Sequence, residues 1–401
     1  YTATGSTVIN TSGYHHLAAY FDGEYARVYI DGSLDGTSSA FSGSLNTAAK
    51  WAIGARAEDA ADKLDGRIDE LYYWRGACAL FADAAAALTA VQALYNSGDG
   101  LFWDAGTVKK YTLGVADNGV CQGRLTLESG VPVSTSDQTA KTTIYFTPYK
   151  GNRISIYNGS TWSVRTFSEL SLSLSGLASS TNFDVFIYDS SGALTLSATA
   201  WTNDTTRATA LTLQDGVYVK SGSTTYRYLG TFRTTGTTGQ TEIVFYSTSQ
   251  APQILLWNYY NRVKATVMRH DASDTWSYTT AALRQANGST ANQCNFVIGV
   301  NEDDVDATLA ALGVGTTAGT GITALIGLDA TDAKATNTLA SGLTIAAANQ
   351  QFQLFSTFSG KAGIGYHYLS WLEYGGTGIT FYGDAGNTSL YKAGIQVRLN
   401  Y

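Results

Sequence analysis

The 401-residue chain is poor in proline (3), methionine (1), cysteine (3) and charge, with Asp, Glu, Lys and Arg together making up only 14%. Low charge beside 44% hydrophobic residues excludes an intrinsically disordered chain, which has the opposite balance. No run approaches the roughly 20 apolar residues of a membrane-crossing helix, so membrane insertion by such a helix is not expected. A net charge of −7 leaves no basic excess for gripping phosphates, so nucleic acid is not an expected partner. Cys78, Cys121 and Cys294 lie far apart, with neither CxxC pairing nor metal-ligand spacing, and read as small buried hydrophobes. A GxSxG elbow, P-loop, HExxH helix and dinucleotide fingerprint are all missing, which removes the motif-based routes to an enzymatic assignment.

What is abundant points one way. Glycine (42) and tyrosine (26), with many Thr and Ser, favour half-buried strands joined by tight turns. Length allows two or three domains, each with its own core. The expected fold class is all-β: serial antiparallel β-sandwich or jelly-roll domains with one or two short helices.

Along the first hundred residues, Tyr14–Gly23, ARVYIDGSLDG (26–36), Trp51–Gly54 and LDGRIDELYYW (64–74) alternate apolar and polar residues between Asp-Gly turns. That is the pattern of antiparallel hairpins with one buried face. A helix is predicted over Phe81–Tyr95, carrying Leu88, Val91 and Leu94 and stopped by Asn96-Ser-Gly98-Asp-Gly100. Residues 101–140 read as a connecting segment with a short strand at Gly123–Glu128. Strands are expected near 142–146, 152–157, 183–189, 193–200, 216–220, 224–234 and 241–246, with Asn158-Gly159 turning a hairpin. Beyond 262, NFVIGV (295–300), GITALIGLD (321–329), NQQFQLFSTF (349–358), GYHYLSWLEYG (365–375) and YKAGIQVRLN (391–400) read as a final β-sandwich. A short helix is predicted at Asp304–Leu312, where Val305, Leu309 and Leu312 share a helical face behind acidic residues.

The order of elements in residues 1–100 resembles the second half of a laminin-G-like, concanavalin-type jelly-roll. This implies a partner half, so the native protein is expected to extend beyond these residues; the first residue is also not an initiator methionine. A second resemblance rests on the stretch TPYKGNRISIYNGSTWSVRTFSEL…NFDVFIYDSSGALTLSATAW (147–201). It continues through Trp201-Thr-Asn-Asp-Thr-Thr-Arg207, LQDGVYVKSG (213–222), Tyr228-Leu-Gly230 and Leu256-Trp-Asn-Tyr-Tyr-Asn-Arg262. This region, roughly 140–262, resembles a module recurrent in tailed-bacteriophage virion proteins of the fibre and decoration type. The expected divisions are therefore 1–100, 101–140, 141–262 and 263–401.

No catalytic, cofactor-binding or metal-binding residue is expected. His15 and His16 are neighbours in a strand and point to opposite faces, so they cannot readily share an ion. His270 and His367 stand alone, whereas zinc needs three or four converging ligands. Glu302-Asp303-Asp304-x-Asp306 lacks the glycine and the distant glutamate of an EF-hand and reads as a decorated helix start. Within LDGRIDELYYW, alternation puts Ile68, Tyr72 and Trp74 on one face and Asp69 beside Arg67 on the other, so Asp65 and Asp69-Glu70 read as strand residues rather than a calcium site, and Trp103 and Trp276 as core rather than sugar platforms.

The phage resemblance implies a non-enzymatic structural component on the exterior of a virion head or tail. Its expected partners are itself, as a homotrimer, and other capsid or tail proteins. Host surface polysaccharide is a further expected partner if the jelly-roll acts as a lectin, and a glycan depolymerase is the remaining alternative.

Overall fold

In the computed structural model, the described residues are 3–7, 15–21, 24–41, 101–104, 107–110, 118–386 and 392–401. The chain divides into two compact units, Tyr1–Val115 and Ala116–Tyr401.

In the first unit, Leu17–Phe21, Ala26–Ile30 and Ser33–Thr37 form an antiparallel three-stranded sheet. Asp31 and Gly32 close its second hairpin with φ of 49° and 76°. Two successive left-handed residues make the turn whose twist matches that of paired strands, which is why Asp-Gly marks it in the sequence. Leu101–Asp104 pairs with Thr107–Lys110 as a separate hairpin. The strands read at 51–54 and 64–74, and the helix at 81–95, lie outside the described residues.

The second unit is built almost wholly from strands; among the described residues the single helical element is one 3₁₀ turn, Ala286–Gly288. All seven strands expected between 142 and 246 are present. The Asn158-Gly159 hairpin joins Arg153–Tyr157 to Trp162–Thr166, in register from Trp162 opposite Tyr157, through a four-residue loop (158–161). Asn158 Oδ1 accepts the amides of Ser160 and Thr161 at 2.9 and 2.8 Å, so the loop closes on the asparagine side chain.

One sheet runs Ala193–Ala200, Asn182–Ser190, Ser223–Arg233, Val217–Lys220 and Leu211–Gln214, with Leu256–Asn258 also pairing to the 223–233 strand. Two larger sheets make the final sandwich. The first runs Gly342–Thr344, Gly321–Leu328, Gly365–Tyr374, Gln293–Ile298, Gln253–Ile254, Thr241–Val244 and Gln138–Lys141. The second runs Tyr246–Ser247, Lys264–His270, Gly394–Asn400, Val305–Gly315, Gln350–Gly360 and Thr338–Ala340. Pairing is antiparallel except where 246–247 meets 268–269 and 253–254 meets 295–296. Strands from both sides of residues 140 and 262 thus share one sheet, and the expected divisions there fall inside a single compact unit with a continuous buried core. All five strands read from the sequence for the final sandwich are in place.

The helix expected at Asp304–Leu312 is not formed; Val305–Gly315 is an eleven-residue strand. Val305, Ala307, Leu309 and Ala311 are buried while Asp306 and Thr308 face out, a period of two. The strand pairs along its whole length with Gln350–Gly360 on one side and with Gly394–Asn400 and Ile379–Tyr382 on the other. Ladders on both edges satisfy its backbone groups, so tertiary pairing overrides the helical spacing of three apolar residues.

Candidate functional site

The side chains singled out in the sequence are mostly tied up in holding turns and strands. His15 Nδ1 lies 2.7 Å from Asp31 Oδ2, and the other carboxylate oxygen accepts the His16 amide at 2.9 Å. These contacts hold the Asp31 carboxyl below its usual range, the His15 hydrogen bond foremost. Burial lowers His16, against the pull of Asp31. The second unit repeats the arrangement. His367 Nδ1 meets Asp329 Oδ2 at 2.8 Å, Asp329 Oδ1 accepts the Tyr368 amide at 2.9 Å, and Asp329 has a left-handed φ of 52°. In both units a carboxylate on a turn clamps a histidine and the peptide that follows it. His270 is buried, with Nδ1 2.9 Å from the Ala393 carbonyl.

The acidic run is neutralised locally. Glu302 and Asp303 pair with Arg262 at 2.7 and 3.0 Å, Asp304 with Lys361 at 3.5 Å, and Asp306 accepts Ser359 Oγ at 2.7 Å. Among the described residues no three His, Cys, Asp or Glu side chains converge on a point. Trp276 is core: it packs edge-on to Trp371 and stacks on Phe381, and its Nε1 donates to Glu373 Oε2 at 2.6 Å. Burial raises the Glu373 carboxyl above its usual range, opposed by Trp276 and by Arg284, which donates at 2.7 Å. Cys121 and Cys294 are buried and unpaired, as read from the sequence, and burial pushes their thiols up to about 11 and about 12. Cys78, Asp65, Asp69 and Glu70 lie outside the described residues; Trp103 sits on the Leu101–Asp104 strand.

Interior polar residues that the sequence did not reveal fasten distant segments together. Arg124, fully buried, donates to the Tyr401 carbonyl and the Pro132 carbonyl at 2.8 Å each and to the Asn261 carbonyl at 3.2 Å. Arg227 donates to the Ser155 and Asn118 carbonyls at 2.7 and 2.8 Å and lies 4.7 Å over the Tyr260 ring. Asp184 is 2% exposed; it accepts Arg207 Nε and Thr231 Oγ1 at 2.7 Å each. Arg207 covers the Trp201 ring at 4.4 Å and reaches the Gly299 carbonyl at 2.6 Å. Burial raises the Asp184 carboxyl, with Arg207 pulling the other way. No pattern in the sequence announces these partners, because each acceptor is a backbone carbonyl or a residue tens of positions away.

Shallow depressions on the second unit include two bordered by polar residues. One, of about 190 Å³, is lined by residues that include Glu128, Lys141, Thr143 and Tyr145. The other, of about 350 Å³, is bordered by Thr248, by Arg269, Asp271 and Ser273, and by Asn287 and Ser289. Its floor is a polar network. Asp271 Oδ2 accepts Asn292 Nδ2 at 2.7 Å and Asn287 Nδ2 at 3.3 Å, and Oδ1 accepts the Ser273 amide at 2.9 Å. Burial pushes this carboxyl up, but the hydrogen bonds outweigh it and leave Asp271 below its usual range. Arg269, 3% exposed, donates from Nε to Asn292 Oδ1 at 2.9 Å. Sequence reading weighed only His270 here; the nearest signal was the polar run Arg269–Asp274 with Asn287-Gly288-Ser289.

Comparison with known proteins is informative for one segment. Residues 1–80 match the family model of the concanavalin A-like lectin/glucanases superfamily, of the laminin-G type. The N-terminal segment is therefore a concanavalin-like jelly-roll domain. No curated protein matches the chain. Among solved structures, an insecticidal delta-endotoxin from Bacillus thuringiensis aligns at 6% identity and a TM-score of 0.10, over 63% of this chain and 51% of that one. An agreement that low carries no argument about fold or function.

Proposed function

We propose that the protein is a non-enzymatic, surface-exposed structural component of a phage virion, a fibre or decoration protein that also contributes to adsorption on host glycans. The observation that carries the reading is how the interior polar side chains are used. Arg124, Arg227 and the Asp184–Arg207 pair bond carbonyls and carboxylates on remote segments, an arrangement suited to a rigid scaffold. The motif resemblance over roughly 140–262 supplies the virion context, and the exterior of the head or tail is the proposed location. Homotrimeric assembly and packing against other capsid or tail proteins belong to the same proposal.

The lectin-type match over residues 1–80 favours the adhesive part of the reading. Because that superfamily's name also covers glucanases, a glycan depolymerase is the competing reading, and release of reducing ends from host polysaccharide would favour it over this one.

The test is antibody-gold labelling of intact particles, with antibodies raised against residues 141–401, together with sedimentation of the purified chain. Gold on the head or tail exterior and a trimer mass support the proposal. Particles that carry no label refute the virion role, and a monomer at micromolar concentration refutes the assembly.

A further inference from the structure

Loops of the final sandwich border the depression around Asp271. Three segments meet there: the turn after Tyr246–Ser247, which holds Thr248; the 269–273 stretch leaving the Lys264–His270 strand; and the 3₁₀ turn that carries Asn287 and leads to Ser289. Loops gathered at the end of a β-sandwich are held by a rigid frame and are where such folds place binding residues.

Arg269 is almost wholly buried; Nε bonds Asn292 and Nη1 bonds the Ser247 carbonyl at 3.4 Å, which leaves Nη2 with no acceptor among the described residues. Asn287 directs Nδ2 at Asp271 and at Ser273 Oγ, 3.0 Å away. The Asp271 carboxylate can only accept, so the Asn287 amide orientation is fixed and its Oδ1 is the free acceptor. Arg269 and Asn287 thus both border one shallow cavity, each with a polar atom that has no partner among the described residues, together with Thr248, Ser273 and Ser289.

We propose that this depression binds a pair of neighbouring hydroxyls on an uncharged pyranose, with Arg269 Nη2 donating to one and Asn287 Oδ1 accepting from the other. A hydroxyl both donates and accepts, so adjacent sugar hydroxyls fit such a donor–acceptor pair, and a shallow polar cavity suits a ligand that is itself polar. Charge argues against an acidic sugar. Asp271 already balances Arg269, and Asp274 and Asp384 stand on segments packed against the same turn, where the Asp384 amide meets the Ser273 carbonyl at 3.3 Å. Of these acids Asp271 itself lines the depression, and a ligand carboxylate would face it.

The inference rests on the adhesive part of the proposed function and places a sugar contact in the second unit. The test uses the full chain on a printed array of neutral hexose oligosaccharides beside uronic-acid and sialic-acid oligosaccharides. Two variants accompany it: Thr248→Trp, which fills the cavity from an exposed position, and Arg269→Gln. Binding to neutral probes is expected, reduced about ten-fold or more in both variants, the size of losing a hydrogen bond to a charged donor. An unchanged melting midpoint of Thr248→Trp shows that its loss is not misfolding. If Thr248→Trp binds as the parent does, the site is overturned while adhesion through the jelly-roll stands. Preference for acidic probes overturns the ligand class, and absence of all binding overturns both the site and the adhesive reading, leaving the virion role to the gold labelling.

Discussion

Replacing Asp184 by alanine is the sharpest probe of the scaffold. Asp184 on the Asn182–Ser190 strand is the carboxylate partner of Arg207, whose Nε and Nη2 donate to it at 2.7 and 3.2 Å. Removal strands a guanidinium that is stacked on Trp201 and still bonded to the Gly299 carbonyl, with little access to water. Breaking one side of a buried pair costs about 3–5 kcal/mol, whereas replacing both partners by apolar residues is often close to neutral. With a urea slope of about 3 kcal/mol per molar for a unit of this size, Asp184→Ala should lower the unfolding midpoint by about 1.3 M. The double variant Asp184→Leu/Arg207→Met should recover more than half of that. Urea titration followed by tryptophan fluorescence measures both, since Trp201 and Trp257 are buried nearby. A loss under about 1 kcal/mol in the single variant, or a double variant no better than it, would refute the account of a desolvated pair.

Gly299→Ala should destabilise by about 1–3 kcal/mol or more, because a methyl there would meet Tyr228 Oη and stand 2.6 Å from both Thr231 Oγ1 and Trp257 Cε3; an unchanged melting midpoint would contradict this packing. Glu169 is pushed up by burial but held lower overall by Ser129, Thr147 and the Gly130 amide, so its contribution is present above its ordinary value of 4.5 and fades as pH falls through the lowered one. Glu169→Gln should flatten that acid limb of the stability curve, and an identical pH profile would sink the assignment. Cys121 and Cys294 should resist alkylation at pH 8 in the native chain and react on unfolding, read by intact mass; native modification of either would show that its burial is wrong.

Among the described residues, several strands were legible where the pattern was carried by large side chains. RISIY before Asn158-Gly159 and NFDVFIYDS at 182–190 each became the strand they spelled, as did GYHYLSWLEY. Alanines hid the alternation in VDATLAALGVG: Ala307 and Ala311 are buried and Ala310 is not, yet all three look alike in a hydropathy pattern. Up to Leu312 the large apolar residues, Val305, Leu309 and Leu312, fall at helical spacing. The extent of the second unit was illegible for another reason. Short strands such as Gln253–Ile254 and Gln138–Lys141 carry too few residues for a period, and only pairing with Gln293–Ile298 and Thr241–Val244 gives them a sheet. At the sandwich end, the free donor on Arg269 and the free acceptor on Asn287 follow from what their other atoms bond, which only coordinates reveal. The hairpin of Ala26–Ile30 and Ser33–Thr37 was readable because Asp31-Gly32 fixes its turn locally.

The placement of Gly394–Asn400 has a bearing on how the chain is made. It lies between Lys264–His270 and Val305–Gly315, pairing with both, so the middle of that sheet is filled by the described strand synthesised last. Until it emerges from the ribosome, two long strands present open edges, and Val267 and Leu309 lack the neighbours Val397 and Ile395 that pair across from them. Closure of the sandwich is thereby timed to the end of translation of this region, and a chaperone that shields strand edges would act in that interval rather than on the finished protein.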